Sequence, residues 1–312
     1  MQYRRLGRSG LQVSVVGLGC NNFGGRVDLA GARPVVDRAL DLGVTLFDTA
    51  DAYGRGASES ILGEILGERR KHAVIATKFA GSMDQSGLMR GASRRYVISA
   101  VEASLRRLRT DWIDLYQIHH PDPATPMEET LRALDDLVRA GKVRYIGNSN
   151  FAGWQVADAE WLGRQLGCHR FVSCQNEYSL LVRRPEGELF AAMEAYGLGL
   201  LPYLPLAGGF LSGKYRRDHL PEGARLTNSR GMADRYLTDA NWAIVERLEA
   251  FGAERGHTLL DVAFAWLASR PVASSVIAGA TRPEQVEQNV RAAEWTLTPE
   301  ERAEVDRISD RG

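Results

Sequence analysis

The 312 residues lack a metal-binding cysteine pattern, a membrane-length apolar run and an excess of either charge, and each absence removes a class of function. Only three cysteines occur, Cys20, Cys168 and Cys174, and no Cys-x-x-Cys pair is present. Neither a zinc ribbon nor a disulfide framework can be built from them, so they are expected to be structural thiols kept reduced in a cytoplasm. Lys plus Arg and Asp plus Glu both number 39, for a net charge of zero. That balance gives a nucleic acid or an anionic membrane no electrostatic reason to bind. No stretch approaches the roughly 18 uncharged apolar residues of a membrane span. The opening Met1-Gln-Tyr-Arg-Arg-Leu-Gly is polar where a signal peptide would be apolar. A soluble, cytoplasmic chain with neither nucleic acid nor membrane as partner is therefore expected. No Gly-x-Gly-x-x-Gly follows the first strand, internal repeats are lacking, and no serine or cysteine is placed as a nucleophile.

What is present is an alternation. Tyr3–Leu6 and Leu11–Val13 flank Gly7-Arg8-Ser9-Gly10 and predict a β-hairpin. Short apolar runs then alternate with amphipathic segments to the end of the chain. The runs are Val15–Leu18, Val44–Phe47, Val74–Thr77, Ile113–Ile118, Val143–Ile146, Val172–Cys174, Gly199–Tyr203 and Ser275–Ile277. Ser93 caps a helix carrying Val97, Val101, Leu105 and Leu108 on one face. Thr125-Pro126-Met127-Glu128 has the form of a capping box with proline at the first helical position, and Gly141 closes that helix. Asp28 can cap the helix before Gly43, yet Pro34 falls inside its pattern, so the helix either starts later or is kinked. Strands joined by single helices pair in parallel, and eight such units close into a (β/α)8 TIM barrel with helices outside. The alternative, an open doubly wound sheet, lacks its glycine fingerprint. One barrel over residues 1–312 is expected, with one long connection from Pro205 to about Thr238 after the seventh strand, and loops of that length are usually lids or linkers.

A barrel of this kind places its chemistry at the C-terminal ends of its strands. Asp48 ends the second run, Tyr53 lies five residues on, Lys78 ends the third and His119 ends the fourth. A free tyrosine titrates near 10, too weak an acid for efficient proton delivery at neutral pH. A lysine ammonium within about 4 Å stabilises a phenolate by up to roughly 4 kcal/mol at an effective dielectric of 20. Lys78 is therefore expected to pull Tyr53 down by about three pK units at most, with Asp48 keeping Lys78 charged. His119 could orient a carbonyl or share in proton delivery. A set with one proton donor and no nucleophile needs its hydride from a nicotinamide. Ser149, Asn150 and Gln175, at later strand ends, could hydrogen-bond a carboxamide, and Tyr203 could stack on the ring. Gly279-Ala-Thr281-Arg282 opens a helix, a favourable place for phosphate.

These residues resemble the aldo-keto reductase superfamily over nearly the whole chain. Phe47-Asp-Thr-Ala-Asp-Ala-Tyr-Gly54 is similar to its first signature and Asp114-Leu-Tyr-Gln-Ile-His119 to its second. Ile277-Ala-Gly-Ala-Thr-Arg-Pro-Glu-Gln285, followed by Gln288-Asn289, is similar to its cofactor-phosphate segment. The pattern is nearest the bacterial branch related to potassium-channel β subunits. The resemblance implies a barrel closed at its base by the hairpin and a catalytic tetrad of Asp48, Tyr53, Lys78 and His119. It also implies an NADPH site. Ser149, Asn150, Gln175 and Tyr203 would hold the nicotinamide; Leu204, Leu206, Ala207, Gly209 and Lys214 would run along the pyrophosphate. Arg225, Gly279, Thr281, Arg282, Gln285, Gln288 and Asn289 would surround the adenosine end, where arginines suit a 2′-phosphate. The chain departs from the family in carrying Leu204 where serine is frequent and Ala278 where proline is. The function implied is reduction of a small-molecule aldehyde or ketone; the alternative is a nucleotide-holding sensor or channel-β-subunit-like partner protein with little turnover. Channel subunits tend to have asparagine at the position of His119, and an N-terminal extension is expected to be absent here; both favour the enzyme. The expected substrate wall includes Asn21, Asn22, Phe23, Phe79, Met83 and His120. Neither the substrate nor the oligomeric state follows from these residues.

Overall fold

A computed structural model describes residues 1–84 and 87–310. An N-terminal hairpin of β1 (Tyr3–Arg5) and β2 (Gln12–Ser14) precedes eight parallel strands. These are β3 (Val16–Gly19), β4 (Leu46–Asp48), β5 (Val74–Phe79), β6 (Ile113–Ile118), β7 (Val143–Ser149), β8 (Ser173–Gln175), β9 (Gly199–Leu200) and β10 (Val276–Gly279). From β3 to β9 each pairs with the next in sequence, and β10 returns to β3. Main-chain bonds close the remaining seam: Leu200 N donates to Val272 O at 2.6 Å, Ser274 N to Leu200 O at 2.9 Å and Ile277 N to Pro202 O at 3.1 Å. The architecture is a (β/α)8 barrel.

Strand parity sets what fills it. Leu46, Ala76, Leu115, Leu201 and Ile277 point into the lumen, and Leu6 and Val13 of the hairpin join the same buried cluster. The hairpin thus plugs the base of the barrel. Gly7 makes this dock feasible, because its φ is +57° and a Cβ there would sit 2.4 Å from Gly197 O. The far larger cluster lies between the strands and the surrounding helices. No helix among the described residues is long and apolar enough to cross a membrane.

Several local expectations shift. The hairpin strands end at Arg5 and begin at Gln12 rather than at Leu6 and Leu11, because Leu6 N is taken up by Leu11 O in the turn. The fifth barrel run extends to Ser149, while the seventh stops at Leu200 because Pro202 has no N–H to continue a ladder. Asp28 does cap the helix Leu29–Asp41, accepting from Gly31 N at 2.9 Å, and Pro34 is carried within the second turn. Thr125 does not form the expected capping box. Its hydroxyl donates to Asp122 at 2.8 Å, and the helix runs Met127–Arg139 with Pro126 one position before it. The long connection is not a bare loop: it folds into a turn of 3₁₀ helix, Ala207–Ser212, and the short helices Arg225–Asn228 and Arg230–Tyr236.

Candidate active site

The cleft at the C-terminal face has a volume of about 980 Å³. Asp48, Tyr53 and His119 lie in its wall, and Lys78 lies fully buried just behind them. Parallel pairing of β4, β5 and β6 brings these residues together from distant points of the chain. Tyr53 comes from the turn after β4, held by Asp51 N to Lys78 O and Tyr53 N to Ala50 O. The turn continues through Gly54 and Arg55, both at positive φ, before the helix Ala57–Leu66 begins.

Lys78 Nζ has three acceptors: Asp48 Oδ1 at 2.7 Å, Thr49 O at 2.8 Å and the Tyr53 hydroxyl at 3.5 Å. The second Asp48 oxygen accepts from Gln175 Nε2 at 2.7 Å. A buried ammonium is tolerable only with such company. Burial acts to lower the Lys78 pKa, but the Asp48 carboxylate and Tyr53 outweigh it and hold the amine above its ordinary value. Tyr53 does not move as the residues alone led one to expect. Burial pushes its phenol up, Lys78 pulls down, and Asp48 pushes up again, leaving it above its ordinary value. The physical reason is that desolvation is the largest influence and Asp48 offsets part of the pull of Lys78. Tyr53 is then protonated at neutral pH. A phenolate at Tyr53 would face the Lys78 ammonium at hydrogen-bond range.

His119 is brought down to about 2 by burial and then by the charge of Lys78 and by His120. It is neutral at any working pH and carries a single N–H on its ring. Its ring meets that of Tyr53 edge-on with centroids 5.7 Å apart. Asn150, at φ +62°, ties the neighbouring groups together. Its Nδ2 donates to His119 O at 2.9 Å, and its Oδ1 accepts from the Tyr203 hydroxyl at 2.7 Å. Ser149 Oγ donates to Gln175 O at 2.8 Å.

The other end of the cleft is cationic. Arg26, Lys214, Arg225 and Arg282 all line it, and none of the four is in an ion pair among the described residues. Burial lowers the Lys214 pKa, and the charges of Arg26, Arg225 and Arg282 lower it further. Arg225 is lowered by burial and by Arg26. Four unneutralised cations in one wall are costly unless an anion joins them. Beside them the turn before the helix Pro283–Ala292 is fixed by Gln285, whose Oε1 accepts from Thr281 N at 2.8 Å and Thr281 Oγ1 at 3.2 Å. The N-terminal end of that helix lies against the same part of the cleft, and its dipole carries the same sign. A long anion with phosphates at one end and a carboxamide at the other fits this donor set, and a nicotinamide dinucleotide has that form.

Of the sequence-expected residues, Ser149, Asn150, Gln175, Tyr203, Leu204, Leu206, Gly209, Lys214, Arg225, Gly279, Thr281, Arg282, Gln285, Gln288 and Asn289 all line this one cleft. Ala207 does not; it is fully buried behind the wall. Asn21, Asn22 and His120 face the cleft, whereas Phe23 and Phe79 are buried in the packing outside the barrel and Met83 packs partly buried against the same cluster. Phe79 stacks on Tyr116 at 4.8 Å instead. Arg26 was missed. Its signal was position alone, in the loop after a barrel strand, and its Nη2 reaches Gly223 O of the long connection at 3.1 Å.

Comparison with known proteins agrees with this geometry. The model of the aldo/keto reductase family matches residues 15–310. The chain belongs to that family. It is 37% identical to a probable voltage-gated potassium channel subunit beta of Oryza sativa subsp. japonica over 310 residues, 96% of this chain and 94% of the rice protein. It is 38% identical to the uncharacterized oxidoreductase YrpG of Bacillus subtilis, over 96% of this chain and 93% of that one. Similarity to the L-glyceraldehyde 3-phosphate reductase of Escherichia coli K12 is 33% over 98% and 92% of the two chains. Family membership makes an oxidoreductase acting on carbonyls, with a nicotinamide nucleotide, the general frame in which the cleft is understood.

Proposed function

We propose that this aldo/keto reductase is an NADPH-dependent carbonyl reductase working in the cytoplasm, where its three unpaired buried thiols stay reduced. The observation that carries the proposal is the Asp48–Lys78–Tyr53 chain at one end of a cleft whose other end holds four cations that form no ion pair among the described residues. Bound NADPH would supply a hydride to the substrate's carbonyl carbon. Tyr53 gives its phenolic proton to the carbonyl oxygen, so hydride and proton together make the alcohol. Lys78, held by Asp48, stabilises the phenolate that forms, and neutral His119 orients the carbonyl by its N–H. Gln175, Ser149 and Asn150 hold the carboxamide and Tyr203 supports the ring. Lys214 and Gly209 flank the pyrophosphate. Arg282, Arg225 and Arg26 take the adenosine phosphate, with Gln285, Gln288 and Asn289 beside it.

Among the relatives, both reductases and channel β subunits are named. The competing reading is a nucleotide-holding partner protein with negligible turnover. NADPH consumption on adding a panel of aldehydes and ketones separates the two. Carbonyl-dependent consumption is expected; tight NADPH binding with no consumption by any carbonyl would favour the partner protein.

A further inference from the structure

Tyr53 opens a turn whose next residues, Gly54, Arg55 and Gly56, all stand at positive φ. A left-handed arginine is strained, and such a turn keeps its shape only where its surroundings fix it. Two buried contacts fix this one from behind. Just before Tyr53, Asp51 is 1% exposed; its N–H donates to Lys78 O at 3.1 Å and its Oδ2 accepts from the Tyr96 hydroxyl at 2.7 Å. Just after Tyr53, Arg107 packs so closely on Gly56 that a Cβ there would lie 2.6 Å from Arg107 Cδ. Arg107 Nε donates in turn to Glu59 Oε2 at 2.7 Å, and Glu59 Oε1 accepts from Thr77 Oγ1 at 2.6 Å. Tyr96 and Arg107 both belong to the helix Arg94–Leu108, so one helix holds the turn on both sides of Tyr53.

The charges around Asp51 are unevenly matched. The helix Ala57–Leu66 brings Glu59, the helix Arg94–Leu108 brings Tyr96 and Arg107, and β6 brings Tyr116. The Tyr116 phenol is held well above its ordinary range by burial, then by Asp51 and Glu59. On the β5 side the Lys78 ammonium is engaged by Asp48, Thr49 O and the Tyr53 hydroxyl. Arg107 is already bonded to Glu59. Asp51 Oδ1 has no hydrogen-bond partner among the described residues, and the segment after β5 covers it, a Cβ on Gly81 lying 3.5 Å away. An ionised Asp51 would set a second buried carboxylate against a single arginine, a costly state.

Resting on the reductase function above, we propose that Asp51 is a positioning residue for Tyr53: as a neutral carboxyl bonded to Tyr96, it holds the turn that aims the phenol at the carbonyl. A pH dependence of kcat follows. Burial, chiefly, brings the Asp51 pKa up to about 7. Below that pH the turn is held; above it the new charge repels Glu59, the turn slackens and Tyr53 is misaimed. Tyr53 itself stays protonated through this range, because its own pKa is raised above 10. Asp51 is not in the cleft wall, so its ionisation leaves NADPH contacts in place.

The test measures kcat and the NADPH Kd between about pH 6 and about pH 9. The substrate is benzaldehyde, or the fastest carbonyl of the panel above, and the proteins are the unaltered chain, Asp51→Asn, Asp51→Ala and Tyr96→Phe. In the unaltered protein kcat is expected to fall about tenfold to 100-fold through a midpoint near 7, the effect of a small misplacement of a reacting group. Asp51→Asn keeps an acceptor for Tyr96 and cannot ionise, so the fall should vanish while kcat at low pH is retained. Asp51→Ala frees the turn at every pH, and its kcat should be low and flat. Tyr96→Phe removes a bond that lowers the Asp51 pKa, so its fall should move to higher pH. At each pH the four proteins should share one NADPH Kd. A fall that Asp51→Asn leaves in place, a midpoint that Tyr96→Phe does not move, or a Kd that worsens in step with kcat overturns the role of Asp51 and leaves the reductase function standing. The Tyr96→Phe arm decides even if Asp51→Asn does not fold. Reduction of no carbonyl by the unaltered protein at any pH overturns both.

Discussion

Asp51, two residues before Tyr53, shows how much a single buried carboxyl can matter. Its Oδ2 accepts from Tyr96 at 2.7 Å and its Oδ1 is buried with no hydrogen-bond partner among the described residues. Burial first, helped by the charge of Glu59, pushes its pKa up from 3.8 to about 7 against the pull of Tyr96, the backbone N–H of Ala52 and Arg107. A carboxyl whose folded pKa lies above its unfolded one holds its proton more tightly when folded. Its contribution to stability is therefore complete below 3.8 and is lost as the pH rises to about 7. Asp51→Asn has no such loss. Denaturant titrations across that range should show the variant gaining on the parent as pH rises, by up to about 4 kcal/mol. Parallel pH profiles for the two proteins would show that Asp51 is solvated after all. None of this was legible in the Asp-Ala-Tyr motif, which says nothing of what buries Asp51. Tyr53 illustrates the same limit. The four residues could be picked out at or near strand ends, but the sign of the Tyr53 shift needed the burial and the Asp48–Lys78 distance that only folding defines.

At the scale of elements, close approaches and local charge decide the outcome. The helix Ala57–Leu66 rests on the end of the helix Arg94–Leu108, and Gly63 is where they touch. A Cβ at Gly63 would meet Arg107 O and Leu108 O at 2.6 Å, all backbone. Gly63→Ala should cost about 1–3 kcal/mol by overpacking, read as a lower urea midpoint with unchanged slope. No loss would mean that the two helices separate easily. The long connection after β9 contributes Lys214 and Arg225, and Arg282 joins them from the turn after β10. Arg282→Ala should weaken NADPH about tenfold more than NADH, as expected for one charge-assisted contact to a 2′-phosphate. Equal weakening of both nucleotides would place Arg282 elsewhere along the cofactor. The alternation of short apolar runs and amphipathic segments made these elements legible, and ends were lost where a competing partner intervened. Asp122 draws the Thr125 hydroxyl away from its helix, and Pro202 ends β9 early. Such contests depend on groups distant in sequence.

At the scale of the molecule, the eight-fold alternation was enough to foresee a parallel barrel, because strand pairing follows chain order, while its closure by the hairpin was what the family resemblance implied. What could not be foreseen was which side chains each wall turns to the cleft. Phe23 and Phe79 were expected at the substrate and lie in the outer packing, since adjacent positions on a strand or its exit point to opposite sides. The proposed function rests on the two ends of one cleft, the Asp48–Lys78–Tyr53 chain at one and four cations at the other. NADPH at a hundred times its Kd should stabilise the whole chain by about 2.7 kcal/mol. That gain should exceed the one from NADH and shrink with added salt, as a thermal melt would show. The most direct test of the central claim is Tyr53→Phe, measured for reduction and for NADPH binding on the same preparation. Reduction is predicted to fall at least about 100-fold while the NADPH Kd changes no more than about threefold. Turnover that survives the loss of the hydroxyl would contradict Tyr53 as the proton donor, and joint loss of turnover and binding would contradict the division of the cleft proposed here.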